Sequence, residues 1–115
     1  MKIDDVIQTS LLYDFYGSLL TDRQREVMEL YYGENLSLSE IAAEFSISRQ
    51  GVHDLVKRRD KILSGYEEKL KLVEKFNQTK KMVEEIKELA GQYKKDGDRS
   101  LIDRIEAISE EIGKL

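Results

Sequence analysis

The hydrophobic positions in the first third of the chain recur at intervals of three or four residues, which is the spacing of amphipathic helices. A first helix is predicted from about Asp4 to Tyr16, with its end near Gly17. Because aromatic residues at helical spacing usually belong to a core, we expect Tyr13 and Tyr16 to pack on a neighbouring helix rather than on bases. The predicted apolar stripe and its flanking positions are Ile3, Ile7, Leu11, Phe15, Leu19, Val6 and Leu12.

A second helix is predicted to begin after Thr21. Thr21 and Gln24 have the spacing of a capping box, in which each side chain bonds the backbone N–H of the other residue. Gly33 is a natural end for this helix, because glycine readily adopts the left-handed conformation found after helix C-termini. The predicted buried face comprises Val27, Met28, Leu30 and Tyr31.

The middle of the chain predicts two short helices joined by a tight turn. Ser37 and Glu40 have the spacing of a second capping box. Ala42 lies where two helices would cross too closely for a larger side chain, and the break at Ser46-Ile47 puts Ile47 in the angle between them. The inward positions are Leu38, Ile41, Phe45, Val52, Leu55 and Val56. This combination specifies a helix-turn-helix, which inserts its second helix into a DNA major groove.

The second of these helices presents polar and basic side chains opposite its inward positions. Arg can bond guanine bidentately, and Gln can bond adenine in the same way. We therefore predict a nucleic-acid-binding site that consists of Ser48, Arg49, Gln50, His53, Lys57 and Arg58. The alternative is an ordinary solvated helix face. Gly51 is unusual inside a helix, and close approach of a phosphate or of another helix would explain it equally well.

The second half of the chain predicts a long helix and a short one. The long helix is expected from Tyr66 to Tyr93, with Ser64-Gly65 as the break before it and a turn at residues 96–98 after it. Its apolar stripe comprises Tyr66, Leu70, Val73, Phe76, Val83, Ile86, Ala90 and Tyr93. The last apolar positions follow a seven-residue repeat, the seam of a coiled coil. They are Leu101, Ile105, Ile108, Ile112 and Leu115.

Together these elements predict an all-α protein. A four-helix domain with the helix-turn-helix is expected over residues 1–65, and a long and a short helix form a coiled-coil-like extension over residues 66–115. The extension either folds back as an antiparallel hairpin or pairs with a second subunit. Because Leu89 and Ile102 lie off the apolar seams and would stay exposed in a single hairpin, we predict a symmetric homodimer joined by the C-terminal helices.

The formal net charge of −4 argues at first against a nucleic-acid ligand, but its distribution reverses that inference. Residues 46–65 contain five basic and two acidic groups, whereas residues 1–45 contain three basic and nine acidic groups. The predicted recognition helix is thus the positive part of an acidic chain. Such a protein can orient on a polyanion, with modest and salt-sensitive affinity.

The composition also argues against several other classes of protein. The chain has no cysteine for a disulfide or thiolate site, and His53 is its only histidine. We therefore predict no enzymatic activity, no metal and no cofactor. The sequence contains neither an apolar run long enough for a membrane span nor a signal-peptide pattern, so a cytoplasmic protein without membrane insertion is expected.

A resemblance to known families agrees with this interpretation. Residues 19–63, LLTDRQREVMELYYGENLSLSEIAAEFSISRQGVHDLVKRRDKIL, resemble the helix-turn-helix of region four of bacterial sigma factors. Residues 1 to about 76 resemble the YlxM family of Gram-positive bacteria, chiefly in LLYDFYGSLLTDRQREVMELYY and ISRQGVHDLVKR. The resemblance implies a DNA- or RNA-binding protein linked to the signal recognition particle pathway. Ser46 departs from the usual pattern, because it occupies the turn where helix-turn-helix proteins commonly have Gly.

Three classes of function stay open at this point. The first is a regulator that reads DNA through Arg49, Gln50 and His53. The second is an RNA- or protein-binding accessory of the signal recognition particle, which uses the same basic edge without base readout. The third is an interaction module whose helix-turn-helix no longer binds nucleic acid.

Overall fold

A computed structural model describes residues 3–115 of the chain, with side chains from Ile7 onward. Within that range the chain is helical and contains no strand, which confirms the predicted all-α fold of four helices followed by a long and a short one. A 3₁₀ turn over Gly17–Leu19 follows the first helix, and a π-helical turn over Glu29–Gly33 follows the second. None of the described helices is long and apolar enough to cross a membrane. The helices are α1 (Ile3–Tyr16), α2 (Asp22–Met28), α3 (Leu38–Phe45), α4 (Arg49–Leu70), α5 (Leu72–Asp96) and α6 (Arg99–Gly113).

The chain divides into two compact units, one that ends at Val73 and one that spans Glu74–Leu115. The first unit is built around α4, which packs against α1, α2 and α3. Its buried side chains form one apolar cluster, so the helix-turn-helix shares its core with the helices that precede it. The cluster comprises Leu12, Tyr13, Tyr16, Leu20, Val27, Met28, Ile41, Ala42, Val52, Val56, Leu63 and Val73.

The buried face of α1 differs from the predicted stripe. Ile7 is 54% exposed and Leu19 is 51% exposed, whereas Tyr13 and Tyr16 belong to the core as expected. Leu19 lies in the 3₁₀ turn, where α-helical spacing no longer applies. The tyrosines can be buried because their hydroxyl groups donate to the carboxylates of Glu29 and Glu67. Two further predicted positions, Ile3 and Val6, lie outside the described side chains.

Both predicted capping boxes are present. Thr21 Oγ1 accepts from the N–H of Gln24 at 3.2 Å, and Gln24 Oε1 accepts from the N–H of Thr21 at 3.0 Å. Ser37 and Glu40 make the same reciprocal pair, with both bonds 3.1 Å long. Each box satisfies two backbone donors near a helix N-terminus, which fixes where α2 and α3 begin.

The break before the long C-terminal helix lies at Lys71, and the predicted break at Ser64-Gly65 is wrong. Both of those residues lie inside α4, which continues to Leu70. Lys71 adopts φ 55° and ψ 32°, in the left-handed region, and its N–H donates to the carbonyl of Glu67 at 2.8 Å. A single left-handed residue therefore separates α4 from α5.

A long-range cap fixes this break. Tyr16 is fully buried, and its Oη accepts from the N–H of Leu72 at 3.0 Å. The Tyr16 hydroxyl donates to Glu67, whose Oε1 also accepts from the N–H of Val73 at 2.9 Å. The first backbone donors of α5 are thus satisfied by a side chain of α1 and a side chain of α4.

In the second unit a two-residue turn, Gly97-Asp98, joins α5 to α6. Gly97 has a φ of 65°, and the side chain of Asp98 caps α6 by accepting from the N–H of Ser100 at 2.9 Å. Leu89 and Leu101 are its buried side chains, with 7% and 5% exposure. Partly buried apolar side chains follow them at helical spacing: Met82, Ile86, Ile105, Ile108 and Ile112.

The buried face of α5 within the second unit corrects part of the prediction. Leu89 was expected to be exposed but is buried, whereas Val83, a member of the predicted stripe, is 52% exposed. The reason is the phase of the pattern after the polar interval at residues 77–81, because the apolar face resumes at Met82 rather than at Val83. The exposure predicted for Ile102 is confirmed at 43%.

Candidate nucleic-acid interface

Backbone hydrogen bonds shape the turn between α3 and α4. Ser46 adopts φ 55° and ψ 42°, in the left-handed region. The N–H of Ile47 donates to the carbonyl of Ala42 at 3.1 Å, and the N–H of Ser46 donates to the carbonyl of Ala43 at 3.4 Å. This pair of bonds is a Schellman motif, which ends α3 and redirects the chain into α4. Ala42 is buried as predicted, whereas Ile47, which was predicted to lie in the angle between the helices, is 40% exposed.

Ser48 begins α4 as predicted, and its role is to cap that helix. Its Oγ accepts from the N–H of Gly51 at 2.9 Å. A Cβ atom at Gly51 would lie 3.2 Å from the same Oγ and 3.8 Å from Cδ1 of Ile47. Contact with a second helix is therefore not the reason for this glycine. Its backbone leaves room for the capping hydroxyl.

The other five predicted site residues project from α4 into solvent. They lie between Arg49 and Arg58, a stretch of about 14 Å along the helix axis. The opposite side of the same stretch is buried, with Val52 at 0% and Val56 at 7% exposure. A recognition helix requires this division into a packed face and a polar face, which amphipathic surface helices share. The exposed residues are Arg49, Gln50, His53, Lys57 and Arg58.

Asp54 belongs to this surface, although the predicted site did not include it. Nε2 of Gln50 donates to Oδ1 of Asp54 at 3.0 Å, and Nδ1 of His53 lies 3.7 Å from the same oxygen. The carboxylate therefore orients Gln50, one of the side chains that were predicted to read bases, and lies beside His53, another. The signal was available in the sequence, because Gln and Asp four residues apart on a helix are known to pair.

Arg58, at the end of this surface, belongs to a cluster with Arg59 and Arg23 that adds positive charge to the first unit. Burial lowers the pKa of Arg59, and the nearby guanidinium groups of Arg58 and Arg23 lower it further. Among the described residues, no ion pair includes these arginines, and the buried Nε of Arg59 has no hydrogen-bond acceptor. Because Arg23 comes from the start of α2, the fold itself gathers this uncompensated charge. Such a cluster favours the binding of phosphate oxygens.

The fold and the α4 surface together define a helix-turn-helix protein. Residues 3–105 match the UPF0122 family, whose description is "Putative helix-turn-helix protein, YlxM / p13 like". The chain belongs to this family. The match continues well beyond residue 76, where the sequence resemblance was expected to end.

Relatives from several bacteria are similar over most of their length. A UPF0122 protein of Desulforamulus reducens is 54% identical over 84 residues, which are 73% of this chain and 72% of the relative. A UPF0122 protein of Shouchella clausii is 43% identical over 107 residues, or 92% of this chain and 98% of the relative. The UPF0122 protein YlxM of Bacillus subtilis is 42% identical over 109 residues, or 94% and 99%. The similarity to the latter two therefore extends through most of both units.

Proposed function

We propose that this protein is a nucleic-acid-binding regulator that reads duplex DNA through α4. The observation that carries the proposal is the uninterrupted polar and basic surface from Arg49 to Arg58, held on a helix whose other face is buried. The segment that contains it is the positive part of an otherwise acidic chain. A positive edge on an acidic body would orient the protein on DNA and keep its affinity modest.

The side chains on this surface divide into two roles. Arg49 and Gln50, at the start of α4, suit contacts with base edges, and His53 follows them one turn later. Asp54 can accept a hydrogen bond from a cytosine amino group, and it also repels phosphates, which favours its orientation toward the bases. Lys57 and Arg58 lie farther along the helix, where side chains reach the phosphate backbone.

We further propose that the protein acts as a symmetric homodimer through its second unit. That unit exposes several large apolar side chains, among them Phe76, Val83 and Ile102 at 43%, 52% and 43% exposure. Covering such side chains with a second copy would contribute about 25 cal/mol for each Å² of apolar surface removed from water. A two-fold dimer would also present two recognition helices to paired half-sites on DNA.

The test is a binding series with full-length protein. A duplex enriched from a random pool, a scrambled duplex and a structured RNA hairpin are each titrated at several salt concentrations. Arg49→Ala and Gln50→Ala should each reduce discrimination between the two duplexes by about 1–3 kcal/mol. Lys57→Ala should weaken both duplexes alike and reduce the salt slope by about one. Lys87→Ala, which alters an exposed lysine of α5, is the matched control and should change neither quantity.

Two results would contradict the proposal. If no duplex is enriched, or if Arg49→Ala and Lys57→Ala weaken every sequence equally, α4 does not read bases. A steep salt dependence for the RNA hairpin alone would identify structured RNA as the ligand of the same basic edge.

A further inference from the structure

A cavity of about 370 Å³ lies beside α4 in the first unit. This volume falls within the usual range of small-molecule sites, at about 300–1,000 Å³. The cavity combines aromatic and apolar walls with a few convergent polar groups, and it shares only His53 and Lys57 with the exposed face that was predicted to read DNA. The lining residues relevant to its chemistry are Tyr31, Tyr32, Leu36, His53, Lys57 and Asp60.

Irregular backbone creates one wall of this cavity. The π-helical turn Glu29–Gly33 replaces a regular end of α2, and Asn35 then adopts the left-handed region with a φ of 58°. The N–H of Leu36 donates back to the carbonyl of Leu30 at 2.9 Å, which fixes the loop. Single π-helical turns occur frequently at functional sites, because they alter the direction of side chains on an otherwise regular helix.

Two adjacent tyrosines line the cavity in different ways. The ring of Tyr32 stacks on Tyr13 with centroids 5.6 Å apart, so it is held in place by the core. The ring of Tyr31 meets Tyr32 edge to face, with centroids 4.9 Å apart and an angle of 78° between the planes. Tyr31 therefore offers the cavity an aromatic surface against which a planar ligand can lie.

Asp60 supplies unused acceptor capacity inside the cavity. Its two carboxylate oxygens lie 3.0 and 3.2 Å from the hydroxyl of Tyr32, which donates to them. In the described part of the chain no ion pair includes Asp60. Burial raises the pKa of Asp60 to about 6, against the lowering effect of the Tyr32 hydrogen bond, so the group is ionised at neutral pH. A carboxylate offers about four lone-pair sites, and the single hydroxyl leaves most of them free.

The cavity also contacts the proposed nucleic-acid surface. His53 and Lys57, four residues apart on α4, line it and are themselves exposed. Lys57 thus provides an ammonium group at the mouth of a partly apolar cavity that contains a carboxylate. A ligand that fits this arrangement is planar, carries two neighbouring N–H donors and has an anionic tail.

Among the nucleobases, guanine meets this description. Its Watson–Crick edge carries the N1–H and N2–H donors side by side, which a carboxylate can accept together. Adenine and cytosine each present one amino donor beside a ring acceptor, and uracil presents one N–H between two carbonyl oxygens. Proteins commonly recognise unpaired bases by stacking them on aromatic rings and bonding this edge.

We propose that the cavity binds an unpaired guanine nucleotide, with Asp60 accepting from N1–H and N2–H, Tyr31 against the base and Lys57 at the phosphate. The inference rests on the proposed nucleic-acid function and adds a single-stranded guanine to its ligands. It also gives Tyr31 of the π-helical turn and the half-buried Asp60 a role that the recognition surface does not require.

The experiment titrates GMP, IMP, AMP, CMP and UMP into isotopically labelled full-length protein, with backbone amide chemical shifts as the readout. GMP should bind about tenfold or more tightly than each of the others. The comparison with IMP needs no variant, because IMP lacks only the N2 amino group. Asp60→Asn should remove the preference for GMP over IMP. Asp103→Asn, the same change at an exposed helical position outside the cavity, should preserve it.

Several outcomes would overturn the inference. These are equal affinity for GMP and IMP, retention of the GMP preference in Asp60→Asn, and shift changes confined to residues outside the cavity. Absence of nucleotide binding at millimolar concentration would also refute it. Because the duplex titrations use the exposed face of α4, they can still succeed in that case, so the failure of this cavity proposal is distinguishable from failure of the proposed function.

Discussion

Replacement of Ser46 by glycine should stabilise the first unit. Ser46 ends α3 with a φ of 55°, a conformation that costs an L-residue about 1–2 kcal/mol and costs glycine little. The greater conformational freedom of glycine in the unfolded chain offsets about 0.4–1 kcal/mol of this stabilisation. Both hydrogen bonds of the Schellman motif come from backbone atoms and would survive the change. The net expectation for Ser46→Gly is a gain of about 1 kcal/mol in the free energy of unfolding.

The measurement is urea and thermal unfolding followed by tyrosine near-ultraviolet circular dichroism. All tyrosines except Tyr93 lie in the first unit, so this signal reports the unit that contains the turn. For a unit of this size, about 1 kcal/mol corresponds to a rise in Tm of roughly 4–8 °C. Ser64→Gly is the matched control, because Ser64 is exposed in the interior of α4 and its replacement should cost about 0.5 kcal/mol.

The reasoning about Ser46 would be refuted by a specific pattern. If Ser46→Gly leaves the stability unchanged or lowers it while Ser64→Gly shows the expected loss, the left-handed conformation carries no strain. The assay would then have detected a glycine effect of the ordinary size, so the null result could not be attributed to insensitivity.

Three further predictions concern buried polar groups and assembly. Tyr16→Phe leaves the N–H of Leu72 without its acceptor and should lower the free energy of unfolding in urea by about 1–3 kcal/mol. A loss below about 0.5 kcal/mol would contradict the cap. Because folding raises the pKa of Asp60 to about 6, its contribution to stability is complete below pH 4 and declines as the pH rises toward 6. Asp60→Asn should therefore remove part of the decline in Tm over that range, whereas Asp54→Asn should not. Truncation after Asn77 should leave a folded first unit that no longer forms the dimer. The dimer would be contradicted if the full-length protein sediments at micromolar concentration as one species with the mass of a single chain.

Local signals predicted the starts of the helices in the first unit. Thr21, Ser37 and Ser48 each cap a helix by accepting from an N–H three residues later. Caps of this kind are determined within one turn of the chain, so the sequence pattern contains all the information that they need. The same holds for the inward face of α4, where Val52 and Val56 follow helical spacing and are buried.

The break between α4 and α5 depends on residues that are distant in sequence, and for that reason the pattern did not reveal it. Ser64-Gly65 was the weakest local point, yet the helix continues through it. Lys71 can adopt the left-handed conformation because Tyr16 and Glu67 satisfy the N–H groups that follow it. No rule of local propensity connects Lys71 with a tyrosine on α1.

The two parts of the candidate site also differ in whether local or long-range contacts determine them. The exposed face of α4 follows from helical periodicity, so Arg49, Gln50 and Lys57 could be selected from the sequence. The cavity requires the π-helical turn, which moves Tyr31 and Tyr32 out of the positions that a regular helix would give them. It also requires the contact between Tyr32 and Asp60, which are 28 residues apart. Neither feature has a periodic signature.

The position of Asp60 favours a ligand role over a purely structural one. A carboxylate that served only to bond Tyr32 would keep its charge at a cost, since burial opposes ionisation and the only described hydrogen-bond donor is a neutral hydroxyl. Asn at this position could accept the same hydrogen bond without that cost. The charge becomes advantageous when a second donor pair reaches the carboxylate from the cavity, because hydrogen bonds to an ionised acceptor are roughly twice as strong as neutral ones. On physical grounds the free lone pairs of the Asp60 carboxylate therefore point to a ligand with N–H donors.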